Sequence, residues 1–172
     1  MSWKNGLGIT TELEVYPPGS DFAKGNFLWR LSCARIEADN QFSEFTGYDR
    51  KLVVLSGDGL ILNDLYLPPF HVHSFRGEDQ IQCSLVKKVV EDLGIIYKRD
   101  SCQCRMDIVE LPRSARWEMD QGIHFITSLK GVVACDEIEL GDGDFLRFEG
   151  PGDVVMQTPE RQGLVLCISI RS

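Results

Sequence analysis

Lys4, Arg30 and Arg50, the amide of Asn5 and the hydroxyls of Ser32 and Ser43 fall among aromatic residues within the first 57 positions of this 172-residue chain. Trp3-Lys4-Asn5-Gly6 opens it, and Trp29-Arg30-Leu31-Ser32 follows inside an alternating run. Phe42-Ser43-Glu44-Phe45-Thr46-Gly47-Tyr48-Asp49-Arg50 then leads into Leu52-Val53-Val54-Leu55-Ser56-Gly57. A plain β-core does not need cations at such places. Together these residues are the parts of a pocket for a small anion, because a guanidinium can hold a carboxylate through two parallel hydrogen bonds.

The elements that must position them are strands. In Phe27 to Cys33, Phe27, Trp29, Leu31 and Cys33 lie on one face, while Leu28, Arg30, Ser32 and Ala34 lie on the other. Further strands read at Leu52 to Leu55, Leu60 to Leu62, Ile81 to Val86, Cys104 to Leu111, Phe125 to Leu129, Val132 to Cys135 and Leu164 to Ile170. Ser56-Gly57-Asp58-Gly59 reads as a hairpin turn between the first and second of these further runs, since Gly and Asp tolerate positive φ. Helix is scarce, with room for one short turn in Val86 to Leu93. Short strands separated by turn signals indicate a sandwich or barrel, folds that hold ligands in their mouths or interiors.

A faint internal repeat runs through this pattern. Phe42…Gly47…Leu55-Ser56-Gly57 recurs as Trp117…Gly122…Leu129-Lys130-Gly131 at offsets of 74 to 75 residues. The charged members are not repeated, and Arg50 falls opposite the apolar region of Phe125. On this reading the chain is one unit over residues 1–172. The N-terminal half, about 1–90, bears the site, and the C-terminal half, about 91–172, is mainly scaffold.

Composition narrows the function classes. A hydrophobic fraction of 43% supplies a core, and a net charge of −8 with no run of Lys and Arg argues against a nucleic-acid or anionic-membrane partner. No apolar run approaches the roughly 18 residues a spanning helix needs. The opening residues lack the apolar stretch of a secretory signal, so the expected location is cytoplasmic. The six cysteines are then expected to be reduced thiols. Four of them (Cys33, Cys83, Cys135 and Cys167) sit in apolar alternating runs, and Cys102-Gln103-Cys104 has no second pair at zinc spacing.

His71-Val72-His73 invites a metal reading, because imidazoles two apart on a strand point to one side. Glu78 and His124 would complete that set. Pro68-Pro69 immediately before it make a loop the better reading than a central strand. Gly141-Asp142-Gly143-Asp144 lacks the spaced carboxylates of a calcium loop and reads as a turn. No metal and no cofactor is expected.

In order along the chain, these blocks resemble the HutD/Ves family. Trp3-Lys4-Asn5-Gly6-Leu7-Gly8-Ile9-Thr10-Thr11-Glu12 is similar to its opening motif. Trp29 to Ile36, Phe42 to Arg50 and Leu55 to Gly59 are similar to its next three blocks. Phe75-Arg76-Gly77-Glu78 and Asp92-Leu93-Gly94 resemble a further one, and the match covers roughly residues 2–111. Leu7, Asn40-Gln41, Thr46 and Gly94 depart from the family pattern, which has Asn in the place of Gly94.

The resemblance implies an all-β, cupin-like (RmlC-like) double β-barrel, or bicupin, of antiparallel strands with little helix. It also implies a non-enzymatic protein of histidine utilisation or stress response that holds a small carboxylated metabolite such as N-formylglutamate. Lys4, Arg30 and Arg50 would neutralise the acid, Asn5, Ser32 and Ser43 would hydrogen-bond it, and Phe42 and Phe45 would wall the site. Two readings stay open for Arg50, as a ligand contact or as a partner of Asp49 or Glu44. Two stay open for the Arg30 face as well, as solvent-facing or as a barrel interior. A second copy of the chain is left open as a partner. The rival is a metal-dependent cupin enzyme acting through His71, His73, Glu78 and His124.

Overall fold

Residues that alternate apolar and polar with a period of two build strands, and the computed structural model, which describes residues 8–141 and 143–172, consists of them almost throughout. Among the described residues the one helical segment is a single 3-10 turn, Phe22–Lys24. None of the described helical residues form a helix long and apolar enough to cross a membrane. The chain divides into two units, the first ending at Cys102 and the second running over Gln103–Ser172.

The first unit contains β1 (Gly8–Tyr16), β2 (Trp29–Ile36), β3 (Asn40–Gln41), β4 (Tyr48–Ser56), β5 (Leu60–Leu62), β6 (Leu65–Leu67), β7 (Val72–Arg76), β8 (Gln82–Leu85) and β9 (Val90–Lys98). They form a five-stranded sheet in the order β1-β2-β9-β4-β7 and a four-stranded sheet in the order β3-β8-β5-β6. Neighbours within each sheet are antiparallel. The two sheets share a core: Ile36, Leu52, Val54 and Val90 from the first pack with Leu60, Leu62, Leu67 and Cys83 from the second. A separate aromatic cluster of Phe27, Tyr48 and Ile96, with Phe22 and Phe45 against it, lies toward the other end of the five-stranded sheet.

The second unit contains β10 (Gln103–Leu111), β11 (Ser114–Lys130), β12 (Val133–Cys135), β13 (Ile138–Leu140), β14 (Leu146–Gln157) and β15 (Gly163–Arg171). Its six strands run β10-β15-β11-β14-β12-β13. The first four repeat the order β2-β9-β4-β7. The hairpins match as well, since Asn63 and Asp136 both turn at positive φ and both exchange backbone and side-chain hydrogen bonds with the strand alongside.

Three readings change. Val86 to Leu93 is not a helical turn, for Val90 opens β9, the central strand of its sheet, hydrogen-bonded to β2 and β4. The β-branched Val90, Ile95 and Ile96 gain more from that pairing than a short helix could offer. Ser56 to Gly59 is not a hairpin turn either. β4 and β5 belong to different sheets, so the turn carries the chain across. Gly57, at φ +100°, runs so close to Val89 and Val90 that a Cβ would lie 2.9 Å from the Val89 carbonyl oxygen. Finally, the register gives Arg50 a different counterpart. The ladder irregularity at Val54/Ser56 in β4 recurs at Ser128/Lys130 in β11, 74 residues on, so Arg50 answers to His124 and not to Phe125.

Free thiols are found at all six cysteines. Burial pushes the thiols of Cys33, Cys83 and Cys167 up to about 12, so they remain protonated and pack as small apolar groups.

Candidate functional site

Cross-strand register sets one face of the five-stranded sheet. Partners directly opposite each other point to the same side, which places Glu12, Arg30, Ser32, Ala34, Ile36, Asp92, Gly94, Ile96, Arg50, Leu52, Val54, His73 and Phe75 together. At its lower end this face is the apolar core shared with the four-stranded sheet. Above that core it turns polar. The Arg30 face is therefore interior and not solvent-facing, and the Arg30 side chain retains only 7% of its exposure.

Arg30 is satisfied within the fold. Its Nε donates to Glu12 Oε2 at 2.7 Å and a terminal nitrogen donates to Ser32 Oγ at 3.3 Å. The guanidinium also lies over the Phe22 ring, 4.2 Å from its centroid. A buried charge needs such a partner, and β1 brings it, since Glu12 lies opposite Ser32.

Arg50 is placed differently. It sits on the same row of the sheet, both arginines being opposite Ile96. Its guanidinium lies 4.9 Å from the centroids of Phe42 and Phe75 and 6.0 Å from that of Phe45. One terminal nitrogen donates to the Ser43 carbonyl at 3.1 Å. Neither Asp49 nor Glu44 pairs with it, because Asp49 is taken by Arg99 at 2.7 Å and no described carboxylate comes within ion-pair range of Arg50. Among the described residues no buried side-chain nitrogen or oxygen is left unsatisfied, so the remaining N–H groups of half-buried Arg50 keep some exposure. Desolvation lowers its pKa to about 10, with Asp92 acting against that shift.

Asp92 was not among the sequence candidates. It is buried at 4% exposure, opposite Ala34 and Val54, and burial pushes its carboxyl up to about 7 against the pull of Arg50 and of the Ala34 backbone amide. His73 belongs to the same wall: its ring stacks on Phe75 with centroids 5.6 Å apart, and burial lowers its pKa. That both line this wall becomes visible only through the register of β9 and β7.

The loop that carries Phe42, Ser43 and Phe45 is locked in place. Arg99 donates to Asp49 and, through both terminal nitrogens, to Glu78 at 2.7 and 3.0 Å. Glu78 in turn accepts from the Gly47 amide, and the Phe45 amide donates to the Gly77 carbonyl. Hydrogen bonds from Arg99 are the main reason the Glu78 carboxyl is held down at about 2.

The structure thus gathers Arg30, Ser32, Phe42, Phe45 and Arg50. Ser43 contributes its carbonyl, its side chain being exposed. Lys4 and Asn5 lie outside the described residues. Members of the metal set are engaged elsewhere: His71 bonds the Pro69 carbonyl, Glu78 is tied to Arg99, and both ring nitrogens of buried His124, in the second unit, meet Ser169 Oγ and the Asp120 carbonyl. No three His, Cys, Asp or Glu side chains among the described residues form a group able to hold a metal ion. His73 does lie on a strand, but on edge strand β7, where the preceding prolines are tolerated.

The all-β antiparallel architecture is cupin-like. A cupin 2 conserved barrel domain protein from Leptotrichia buccalis superposes with a TM-score of 0.66 at 9% identity, covering 99% of this chain and 92% of that one. Sequence narrows the class. The HutD family model matches residues 1–166. A Pseudomonas putida relative, described as an uncharacterized 21.2 kDa protein in the hutC 3' region, is 38% identical over 165 residues, 90% of this chain and 84% of that protein. HutD from Pseudomonas fluorescens, solved in a formate condition, superposes with a TM-score of 0.82 at 27% identity, over 100% of this chain and 94% of that one. The chain belongs to the HutD family.

Proposed function

We propose that the first unit binds a small carboxylated metabolite, N-formylglutamate or an acid like it, and that the protein is regulatory in histidine utilisation or stress response rather than an enzyme. The observation that carries this reading is Arg50: a cation caged by three aromatic rings, with free N–H groups and no ion-pair partner among the described residues. A half-buried guanidinium with unshared N–H groups is suited to take a carboxylate through two parallel hydrogen bonds. Arg30, its charge already met by Glu12, positions Ser32 and holds one side of the site. Lys4 and Asn5, outside the described residues, are the further cation and amide that the family resemblance offers the acid, and the Ser43 carbonyl holds Arg50 in place.

The relatives' names favour histidine utilisation as the setting. The recurring strand order supports a pair of cupin-like β-barrels, one per unit, with the second serving as scaffold, since His124 stands there in place of Arg50 with both nitrogens occupied. The protein acts in the cytoplasm, without nucleic acid or membrane, and a homodimer is compatible with this role.

Thermal melting of metal-stripped protein tests the reading, with N-formylglutamate, glutamate and succinate each at millimolar concentration. A ligand at about 100 times its dissociation constant adds about 2.7 kcal/mol, which is several degrees for a chain of this size. A selective rise in Tm that disappears in Arg50→Gln is expected. No rise with any acid, together with a rise on adding a divalent metal, would instead favour the metal-dependent enzyme.

A further inference from the structure

Gly94 lies at the middle of β9, the third strand of five, hydrogen-bonded on one side to β2 and on the other to β4. Its neighbours Asp92, Leu93, Ile95 and Ile96 are all buried, yet Gly94 itself is partly exposed, as are Ser32 and Ala34 alongside. The centre of the sheet is therefore open on its inner face.

The glycine is not demanded by the backbone. A Cβ built there would meet only Leu52 Cδ1 at 3.7 Å and the Lys51 carbonyl at 3.8 Å, both ordinary van der Waals distances, and its φ does not fall in the left-handed region. Glycine inside a strand weakens it, and where no turn or bulge requires one it marks a close approach by something else. The polar groups frame this gap. Arg30 and Arg50 stand one row up at Ile96, and Asp92 one row down, each roughly 7 Å along the strand from Gly94. The row between them runs Ser32, Gly94, Leu52 and His73, and at its middle neither Gly94 nor Leu52 offers a side-chain hydrogen bond.

We infer that Gly94 is the specificity-determining position of the proposed acid site: its missing side chain leaves a channel for the aliphatic skeleton of a carboxylic acid, so that glutamate-sized acids are admitted in preference to one-carbon acids. This rests on the acid-binding reading. An acid that reached only the arginine row would leave the space above Gly94 unused. One with a chain of several carbons lays that chain across Gly94 and against Leu52.

The test measures dissociation constants of N-formylglutamate and of formate by calorimetric titration for wild type, Gly94→Ala and Gly94→Val, with the Tm of each unliganded protein recorded. Gly94→Ala is expected to melt no lower than wild type, because its Cβ fits and the strand gains a residue that favours it over glycine. Its affinity for N-formylglutamate is expected to fall about tenfold, the scale of one methyl group forced into a filled pocket. Gly94→Val falls further, and formate changes less than about twofold in both variants. If both acids bind wild type and the ratio of their affinities is the same in Gly94→Ala, the specificity role is overturned while the acid site stands. If neither acid binds wild type, the acid-binding reading itself fails and takes the specificity role with it.

Discussion

Replacing Asp92 by asparagine is expected to stabilise the protein at pH 8 and to do so much less at pH 4.5. Asp92 is buried opposite Ala34 and Val54, and its carboxyl is raised from an ordinary 3.8 to about 7, first by desolvation. An acid whose folded pKa lies above its unfolded value keeps its proton in the native state after the unfolded chain has released it. Its ionisation therefore opposes folding increasingly from about pH 4 to pH 7, after which the penalty levels off. Over pH 4.5 to 8 this amounts to about 3 kcal/mol, and for a chain of this length about 6–12 °C in Tm. Asparagine cannot ionise and keeps an oxygen to accept from the Ala34 amide, while the groups that Asp92 influences, Arg50, Cys33 and Cys83, titrate well above pH 8. Urea denaturation of both proteins, followed by tryptophan fluorescence at the two pH values, isolates the difference. A gain from Asp92→Asn that is equal at pH 4.5 and pH 8 would show that Asp92 ionises as an ordinary surface acid, and the buried polar row would have to be redrawn.

Two further outcomes follow from the contacts around the loop of Phe42 to Gly47. Because hydrogen bonds from Arg99 hold the Glu78 carboxyl down at about 2, its contribution is fully present above the unfolded value near 4.5 and is lost as the pH falls toward 2. Glu78→Gln should accordingly lower Tm at pH 7 and flatten the fall in Tm between pH 5 and pH 2, and an unchanged acid limb would refute the latch. Gly77→Ala should lower the urea midpoint by the equivalent of about 2 kcal/mol or more, since its Cβ would overlap the Phe45 carbonyl oxygen, a backbone atom that cannot swing aside. A midpoint within experimental error of wild type would mean that the loop is not pinned to that turn.

The period-two runs were legible in the chain because each strand buries one face: β5 was read with its observed ends, and β2, β10 and β15 within a few residues. The placement of Arg30 and Ser32 on one face, away from Trp29 and Leu31, also followed from alternation alone. What alternation cannot supply is which strand lies beside which. β9 is apolar on both faces around Leu93, Ile95 and Ile96, so its pattern has no clear period, and the inward turn of Asp92 and Gly94 becomes visible only through pairing with β2 and β4. The same holds for Glu12, whose pairing with Arg30 depends on β1, a strand with mixed exposure and weak alternation. For Arg50 the nearby acids were the obvious partners by sequence, yet Asp49 is drawn away by Arg99, fifty residues distant along the chain.

The most direct test of the central claim is amide chemical-shift mapping by NMR, titrating N-formylglutamate into isotopically labelled, metal-stripped protein. Shifts are expected at the backbone amides of Ser32, Gly94 and Ile96 and at the Arg50 side-chain Nε–H, all saturating with a single dissociation constant, and none in Arg50→Gln. Saturating shifts confined to the second unit, around His124 and Ser169, or no shifts at all at millimolar acid, would contradict an anion site on the five-stranded sheet.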